Sequence, residues 1–293
     1  MSQSTWFITG VNSGLGRALT ERLLADGHRV AGTVRRPGSV DDLAARYGDR
    51  LWVARLDVTD TARVREVVDS AFADLGRIDV VVNNAGYGLF GAAEELTDEQ
   101  IDHVLATNLT GSIQVARAAL PHLRAQGGGR IVQLSTYGGQ ATHPGASLYH
   151  AGKWGIEGFM ESLAKEVAPF GIEVTLVEPG GARTEFRFGS LRSATPMPAY
   201  DGTPAAMTRG AGDRSRPSIG DPAKMAARII ESAAQTPAPL RLVLGSDAHR
   251  FITAALRERL AEIAPQAESA GSTDWIDETG GSDGADGPTV RGR

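Results

Sequence analysis

Short β-rich runs alternate with helical segments over the first two-thirds of the chain, and this alternation restricts the fold more than any other feature. The runs are Thr5–Thr9 (TWFIT), Arg29–Val34 (RVAGTV), Leu51–Leu56 (LWVARL), Asp79–Asn83 (DVVVN), Arg130–Ser135 (RIVQLS) and Glu173–Glu178 (EVTLVE). Several are apolar on successive residues rather than alternate ones, as strands covered on both faces must be. Leu240–Leu244 (LRLVL) reads as one more. Between them lie helical patterns. In Thr61–Leu75 the apolar positions Val64, Val67, Val68, Ala71, Phe72 and Leu75 step by three and four, giving one buried stripe. Thr97-Asp98-Glu99-Gln100 has the form of a capping box. Asp221-Pro222 places a cap residue before a proline at the first helical position. The expected fold is α/β: a doubly wound parallel sheet of about seven strands, in three layers α/β/α, with right-handed crossovers.

No boundary interrupts this pattern, so residues 1–265 read as a single domain. The segment 184–218 is rich in Gly, Pro, Arg and Met and lacks periodicity. A loop of that length in a compact domain is expected to serve the substrate. Residues 266–293 are rich in Gly, Ser and Asp, with little apolar content to offset the entropy of ordering, and are expected to be a disordered tail.

The chain has no cysteine, which excludes disulfides, thiolate metal sites and a cysteine nucleophile. A formal net charge of −5 argues against a nucleic-acid partner, which needs a basic stripe. The N-terminal MSQSTWFITG lacks the basic and apolar regions of a signal peptide. No apolar run approaches the ~20 residues of a membrane span. A cytoplasmic protein with no membrane partner is expected.

TGVNSGLG, Thr9–Gly16, follows the first strand and opens a helix. Gly10, Gly14 and Gly16 permit a tight turn and a close backbone approach by a phosphate at the helix start, where free amides and the dipole favour negative charge. At the first βα turn this spacing points to a dinucleotide, though a ligand-free packed corner would use the same glycines. The second strand ends Thr33-Val34-Arg35-Arg36. An NAD site has an acidic residue there, and an NADP site an arginine for the 2′-phosphate. Val34 stands where the acid would be and Arg35 follows. NADP(H) is favoured, with NAD(H) the alternative if Arg35 and Arg36 are only a solvated strand end.

Leu148–Val167 has helical composition, which puts Tyr149 and Lys153 at i and i+4 on one face. A free phenol has a pKa near ~10, and a neighbouring ammonium stabilises its phenolate. Such a pair can serve as general acid for a ketone or general base for an alcohol.

Taken together, TGVNSGLG, LDV at Leu56–Val58, NNAG at Asn83–Gly86, Asn108, YHAGK at Tyr149–Lys153 and PGGART at Pro179–Thr184 come in an order and spacing that resembles the short-chain dehydrogenase/reductase family, from about Thr5 to Leu244. The resemblance implies a Rossmann fold. It also implies that Gly10, Asn12, Ser13, Gly14, Leu15 and Gly16 cradle adenosine and pyrophosphate. Asp57 and Val58 would contact adenine, and Asn84, Ala85 and Gly86 its ribose side. Pro179, Gly180, Ala182 and Thr184 would border the nicotinamide. Tyr149 would transfer the proton. Lys153 would hold the nicotinamide ribose and tune Tyr149, and Asn108 would steady a relay water; it also reads as a helix-kinking asparagine, and the two roles are compatible. A homodimer or homotetramer is implied as well.

One residue departs from the family pattern. Thirteen positions before the tyrosine the family has serine; here Thr136 stands there, with Ser135 one residue earlier. Adjacent strand residues face opposite ways, so Thr136 is assigned the hydrogen bond to the substrate oxygen. The rival is Ser135, brought round by a bulge. His143 and His150 have no partners at metal spacing, and no metal site is expected. His143 reads as a loop residue, Tyr137 and Trp154 as packing residues, and Phe159 and Met160 as core or interface positions.

The expected activity is NADP(H)-dependent interconversion of a secondary alcohol with a ketone (or aldehyde), with a small molecule as substrate. VEPGGARTEF and YHAGKWGIEGF most resemble the hydroxysteroid- and retinol-dehydrogenase-like branch. A catalytically silent NADP(H)-binding sensor or scaffold is the alternative. A dehalogenase-like enzyme is opposed by the glycine turn and by Lys153.

Overall fold

The computed structural model describes residues 3–184, 189–210 and 218–275. In chain order the elements are β1 (Thr5–Thr9), α1 (Gly14–Ala25), β2 (Arg29–Val34), α2 (Asp41–Tyr47), β3 (Leu51–Arg55), α3 (Thr61–Leu75), β4 (Val80–Asn83) and β5 (Gly88–Phe90). There follow α4 (Asp98–Leu105), α5 (Ser112–Ala125), β6 (Gly129–Leu134), α6 (Ser147–Val167), β7 (Ile172–Pro179) and β8 (Leu191–Ser193). The last are α7 (Pro222–Ala233), β9 (Arg241–Leu244), α8 (Ser246–Ile263) and α9 (Ala267–Gly271).

Seven strands form one sheet in the order β3-β2-β1-β4-β6-β7-β9, every pairing parallel. Successive strand residues feed opposite faces, which is why these runs are apolar without alternation. Trp6, Ile8, Val80 and Val82 pack with Leu19, Leu23 and Ile229 of α1 and α7. Phe7 and Val81 pack on the other face with Val64, Val115 and Ile156 of α3, α5 and α6. Both layers follow from that one pattern, and the sheet is the doubly wound three-layer fold expected. The predicted caps hold their helices: Thr97 Oγ1 accepts from Gln100 N at 3.3 Å, and Asp221 Oδ1 from Ala223 N at 2.9 Å.

The chain winds outward from β1 to β3, then crosses back to β4 and winds the other way. The reversal leaves a crevice between the C-terminal ends of β1 and β4, the place where open α/β sheets bind ligands. Packing divides the chain into Met1–Ile252 and Thr253–Arg293, a division that falls inside α8. In the second unit, α8 runs to Ile263, and Ala267–Gly271 forms a short helix within the stretch expected to be a disordered tail. The sequence AESAG has the local helix propensity to do so. Residues 276–293 of that tail, and 185–188 and 211–217 of the substrate loop, lie outside the described residues. Among the described residues no helix is long and apolar enough to cross a membrane.

Candidate active site

A cavity of about 640 Å³ opens at the crevice. One end is built by the turn after β1. Gly10 has φ +75° and donates its N–H to Thr33 O at 3.0 Å, tying the turn to β2. Asn84, just past β4, donates Nδ2 to Thr9 O (2.8 Å) and Gly10 O (2.9 Å), tying it to β4. Ser13 is the residue before α1, and its side chain makes no cap to the helix. The first amides of α1 are therefore left for another acceptor, and Asn12, Ser13, Gly14 and Leu15 line the cavity around them. Glycine here leaves room for a pyrophosphate, so the residues fit a dinucleotide.

Gly16 plays a different part. It does not line the cavity; a Cβ there would strike Asn84 Nδ2 and Gly10 O. Arg35 and Arg36, exposed at the end of β2, line the same end with Asp57 and Val58. Asp57 Oδ1 accepts from Thr59 N (3.0 Å) and Thr59 Oγ1 (2.8 Å). Burial works to raise the Asp57 carboxyl, but these bonds and the Arg35 charge hold it below the ordinary value. Ala85 and Gly86 complete this wall.

The other end is built by α6 and the end of β6. Tyr149 and Lys153 face the cavity from α6, with Thr136 opposite and Pro179, Gly180, Ala182 and Thr184 alongside. Lys153 is buried and donates Nζ to Leu134 O at 2.8 Å. Burial lowers its pKa to about 8, against the opposing pull of Glu157. Thr136 Oγ1 donates to Pro179 O at 3.2 Å, and its hydroxyl acts to lower the Tyr149 pKa. Ser135 also lines the cavity, but its hydroxyl is engaged elsewhere: Oγ donates to buried Glu157 at 2.5 Å. Of the two hydroxyls, Thr136 is the one beside the phenol.

One expectation is corrected. Lys153 was expected to lower the Tyr149 pKa. Instead burial pushes the phenol above its usual value, with Tyr137 adding to the rise. Lys153 Nζ lies 5.9 Å from the phenol ring centroid and donates to Leu134 O, and it is not among the groups that shift the phenol. Asn108 does not line the cavity. It sits in a π-helical stretch, Ala106–Gly111, and its amide is spent on Tyr87: Oδ1 accepts Tyr87 N at 3.0 Å and Nδ2 donates to Tyr87 O at 2.8 Å. Its side chain braces the turn after β4, in keeping with the helix-kinking role, with which a relay role is compatible.

Several residues at the site carried no signal in the sequence. Tyr137, assigned to packing, lines the cavity, with its ring 5.2 Å from Phe251 and 6.1 Å from His143. His143 lines it as well. His150 is buried and neutral: Nδ1 meets Gly138 O at 2.8 Å, and burial lowers its pKa to about 4. Trp154, also assigned to packing, is 38% exposed, because α6 turns that side away from the sheet. Met160 is core, and Phe159 packs partly buried against it. Short strand β8 pairs in parallel with β5 and brings Leu191 and Arg192 to the cavity rim. Buried Glu95 holds this loop: it accepts from Met197 N at 2.9 Å and from the Arg209 guanidinium at 2.8 Å. Partners so far apart in sequence leave no local pattern.

The profile of the short chain dehydrogenase family matches residues 4–192. The chain belongs to that family. Oxidoreductase BOA17 of Botryotinia fuckeliana is 39% identical over 84% of this chain and 90% of its own length. The crystal structure of a short-chain dehydrogenase from Streptomyces avermitilis is 41% identical, with a TM-score of 0.87 over 94% of this chain and all of that one. A closed serine dehydrogenase complexed with NADP+ is 26% identical, with a TM-score of 0.70 over 82% of this chain and 94% of its own. As a short-chain dehydrogenase, the chain is an oxidoreductase acting on CH–OH groups.

Proposed function

We propose that this short-chain dehydrogenase interconverts a secondary alcohol and a ketone, or an aldehyde and its alcohol, with NADP(H), and that Tyr149 is its general acid/base. The observation that carries this is the neutral Tyr149 phenol beside the Thr136 hydroxyl, at the opposite end of one cavity from the uncapped start of α1. A bound nicotinamide would exchange hydride with the carbonyl carbon. The chain's own residues do the rest. In the reducing direction Tyr149 donates its proton to the carbonyl oxygen as negative charge develops there. Thr136 rotates its hydroxyl from Pro179 O to the same oxygen, and Lys153 supplies a buried positive charge nearby. The test is NADPH oxidation over a panel of ketones and aldehydes. NADPH binding by fluorescence with no turnover of any member would sink the enzyme and leave a cofactor sensor.

Thr136 gives a sharper result. Thr136→Ser keeps the hydroxyl and should hold kcat within about threefold. Thr136→Ala should lower it about 10²-fold, the cost of losing one donor to a developing oxyanion. Equal kcat in Ala and wild type would return the role to Ser135.

NADP(H) is favoured because Arg35 lines the cavity at the end of β2, where a 2′-phosphate would lie, and no ion pair or hydrogen bond in the described residues holds its guanidinium. Arg35→Ser should raise KM for NADPH about 10- to 100-fold, as loss of a charge-assisted contact does, and leave KM for NADH nearly unchanged. Equal losses with both cofactors would remove Arg35 from selectivity.

A further inference from the structure

The face of α6 that carries Tyr149 and Lys153 continues at the same four-residue step to Glu157 and Glu161. Glu157 is 3% exposed. It accepts Ser135 Oγ on one oxygen and Arg241 on the other, each at 2.5 Å. Arg241, from β9, also reaches Glu178 of β7 at 2.8 Å and Glu161 at 2.7 Å. Glu178 is fully buried and one of its oxygens has no partner. Gly139 is needed for this arrangement, since a Cβ there would run into the Glu157 carboxyl group and Ser135 Oγ.

Three consecutive residues at the end of β6 are thus each engaged by the site. Leu134 O holds Lys153, the Ser135 hydroxyl holds Glu157, and Thr136 stands beside Tyr149. The buried acids Glu157 and Glu178 share Arg241, which also pairs with Glu161 at the exposed rim, and Lys153 stands one turn before Glu157 on α6. Burying such a group costs stability, and a set this expensive is weak evidence of a stabilising role. We propose that Glu157 is a positioning residue: it clamps the Ser135–Thr136 end of β6 to α6 and keeps Lys153 in its ammonium form at working pH.

The groups that face Glu157 are Lys153 and Glu161 on α6, Arg241 on β9, Glu178 on β7 and the Ser135 hydroxyl. Burial raises the Glu157 carboxyl to about 7, and Glu178 adds to the rise, while Ser135 and Arg241 oppose it. Burial lowers Lys153, and the Glu157 anion opposes that loss. Above pH 7 Glu157 is ionised and Lys153 gains from it; removing the anion moves the Lys153 midpoint down.

The chain has only three lysines, Lys153, Lys165 and Lys224, so protein labelled with 13C at the lysine ε carbon gives few signals to assign. Glu157→Gln should lower the Lys153 midpoint by roughly one pH unit, the effect of one nearby opposite charge. Glu161→Gln should leave it in place. An unchanged midpoint in Glu157→Gln, or an equal fall in both variants, would overturn the proposal. If Glu157→Gln does not fold, the wild-type Lys153 signal itself serves: it should carry a second inflection near pH 7 as Glu157 takes a proton, and a single inflection would overturn the proposal.

The catalytic consequence rests on the function proposed above. In Glu157→Gln the alkaline limb of kcat for ketone reduction should move down by the same interval as the Lys153 midpoint. A lowered kcat with an unmoved limb would mean a merely structural role. The NMR titration needs no substrate, so failure to find a ketone turned over and failure of Lys153 to respond are separate results.

Discussion

Tyr149→Phe should lower kcat for ketone reduction about 10³-fold while NADPH affinity stays within about threefold. The change removes one oxygen and keeps the ring, which lies 5.7 Å from Phe90 and 6.1 Å from His150. The cavity walls and the cofactor end, built by other elements, are untouched. The loss therefore measures the proton transfer alone. Fluorescence titration and single-turnover kinetics would separate the two quantities. Residual kcat above about a tenth of wild type would sink Tyr149 as the acid. The pH profile carries a second part of this expectation. Burial holds the Tyr149 phenol above its usual value, so Tyr149 stays protonated through the alkaline range in which enzymes are assayed. An alkaline fall near pH 8 then belongs to Lys153, whose ammonium is lost as pH rises through its lowered value. The Tyr149→Phe variant would leave that limb where it is, at a much lower rate.

The sheet was legible because each strand's apolar run reports a simple condition, two covered faces. Val80–Asn83 and Ile172–Pro179 differ from the runs read in the sequence by single residues at their ends. The glycine turn and the Tyr149–Lys153 step were legible because each is local, set by φ angles or by one helical turn. What escaped depends on distance or on solvation. β5 and β8 have three residues each, too few to show a period, and become strands only by pairing. Glu95 looks like one of two surface acids until Met197 and Arg209 meet it. The Tyr149 pKa was misjudged because spacing places Lys153 on the correct face but says nothing of Leu134 O, which takes the ammonium, or of the desolvation that raises the phenol. Thr136 and Ser135 were separable by strand parity, while the acid that receives Ser135 lies on another element.

Gly16→Ala should abolish useful cofactor binding, with Kd for NADPH raised at least about 10²-fold. By contrast Gly14→Ala should disturb the fold less and act where the cofactor lies. The two glycines look alike in TGVNSGLG, but they are needed for different reasons. Gly14 has φ +61°, and the nearest atom to an added Cβ is Thr184 Cβ at 3.9 Å. Alanine there meets no nearer protein atom, but it bears the strain of a left-handed backbone, on the order of 1–2 kcal/mol, and puts a methyl into the cavity left for the pyrophosphate. Gly16 has an ordinary helical backbone, yet its Cβ would collide with Asn84 Nδ2 and Gly10 O. Those are the two partners of one hydrogen bond, at 2.9 Å, that fastens the turn after β1 to the end of β4. Neither can move without opening the crevice: Asn84 Nδ2 also holds Thr9 O at 2.8 Å, and Gly10 N is held by Thr33 O at 3.0 Å. The start of α1 must then shift away from the sheet, and the amides it offers to the pyrophosphate shift with it. Overpacking of this kind costs about 1–3 kcal/mol of stability, so a modest fall in Tm should accompany a large loss of affinity. Circular dichroism and NADPH fluorescence on both variants would decide it. A Gly16→Ala protein that binds NADPH as well as wild type would show that the turn can breathe, and that the close approach of Asn84 does not set the cofactor site.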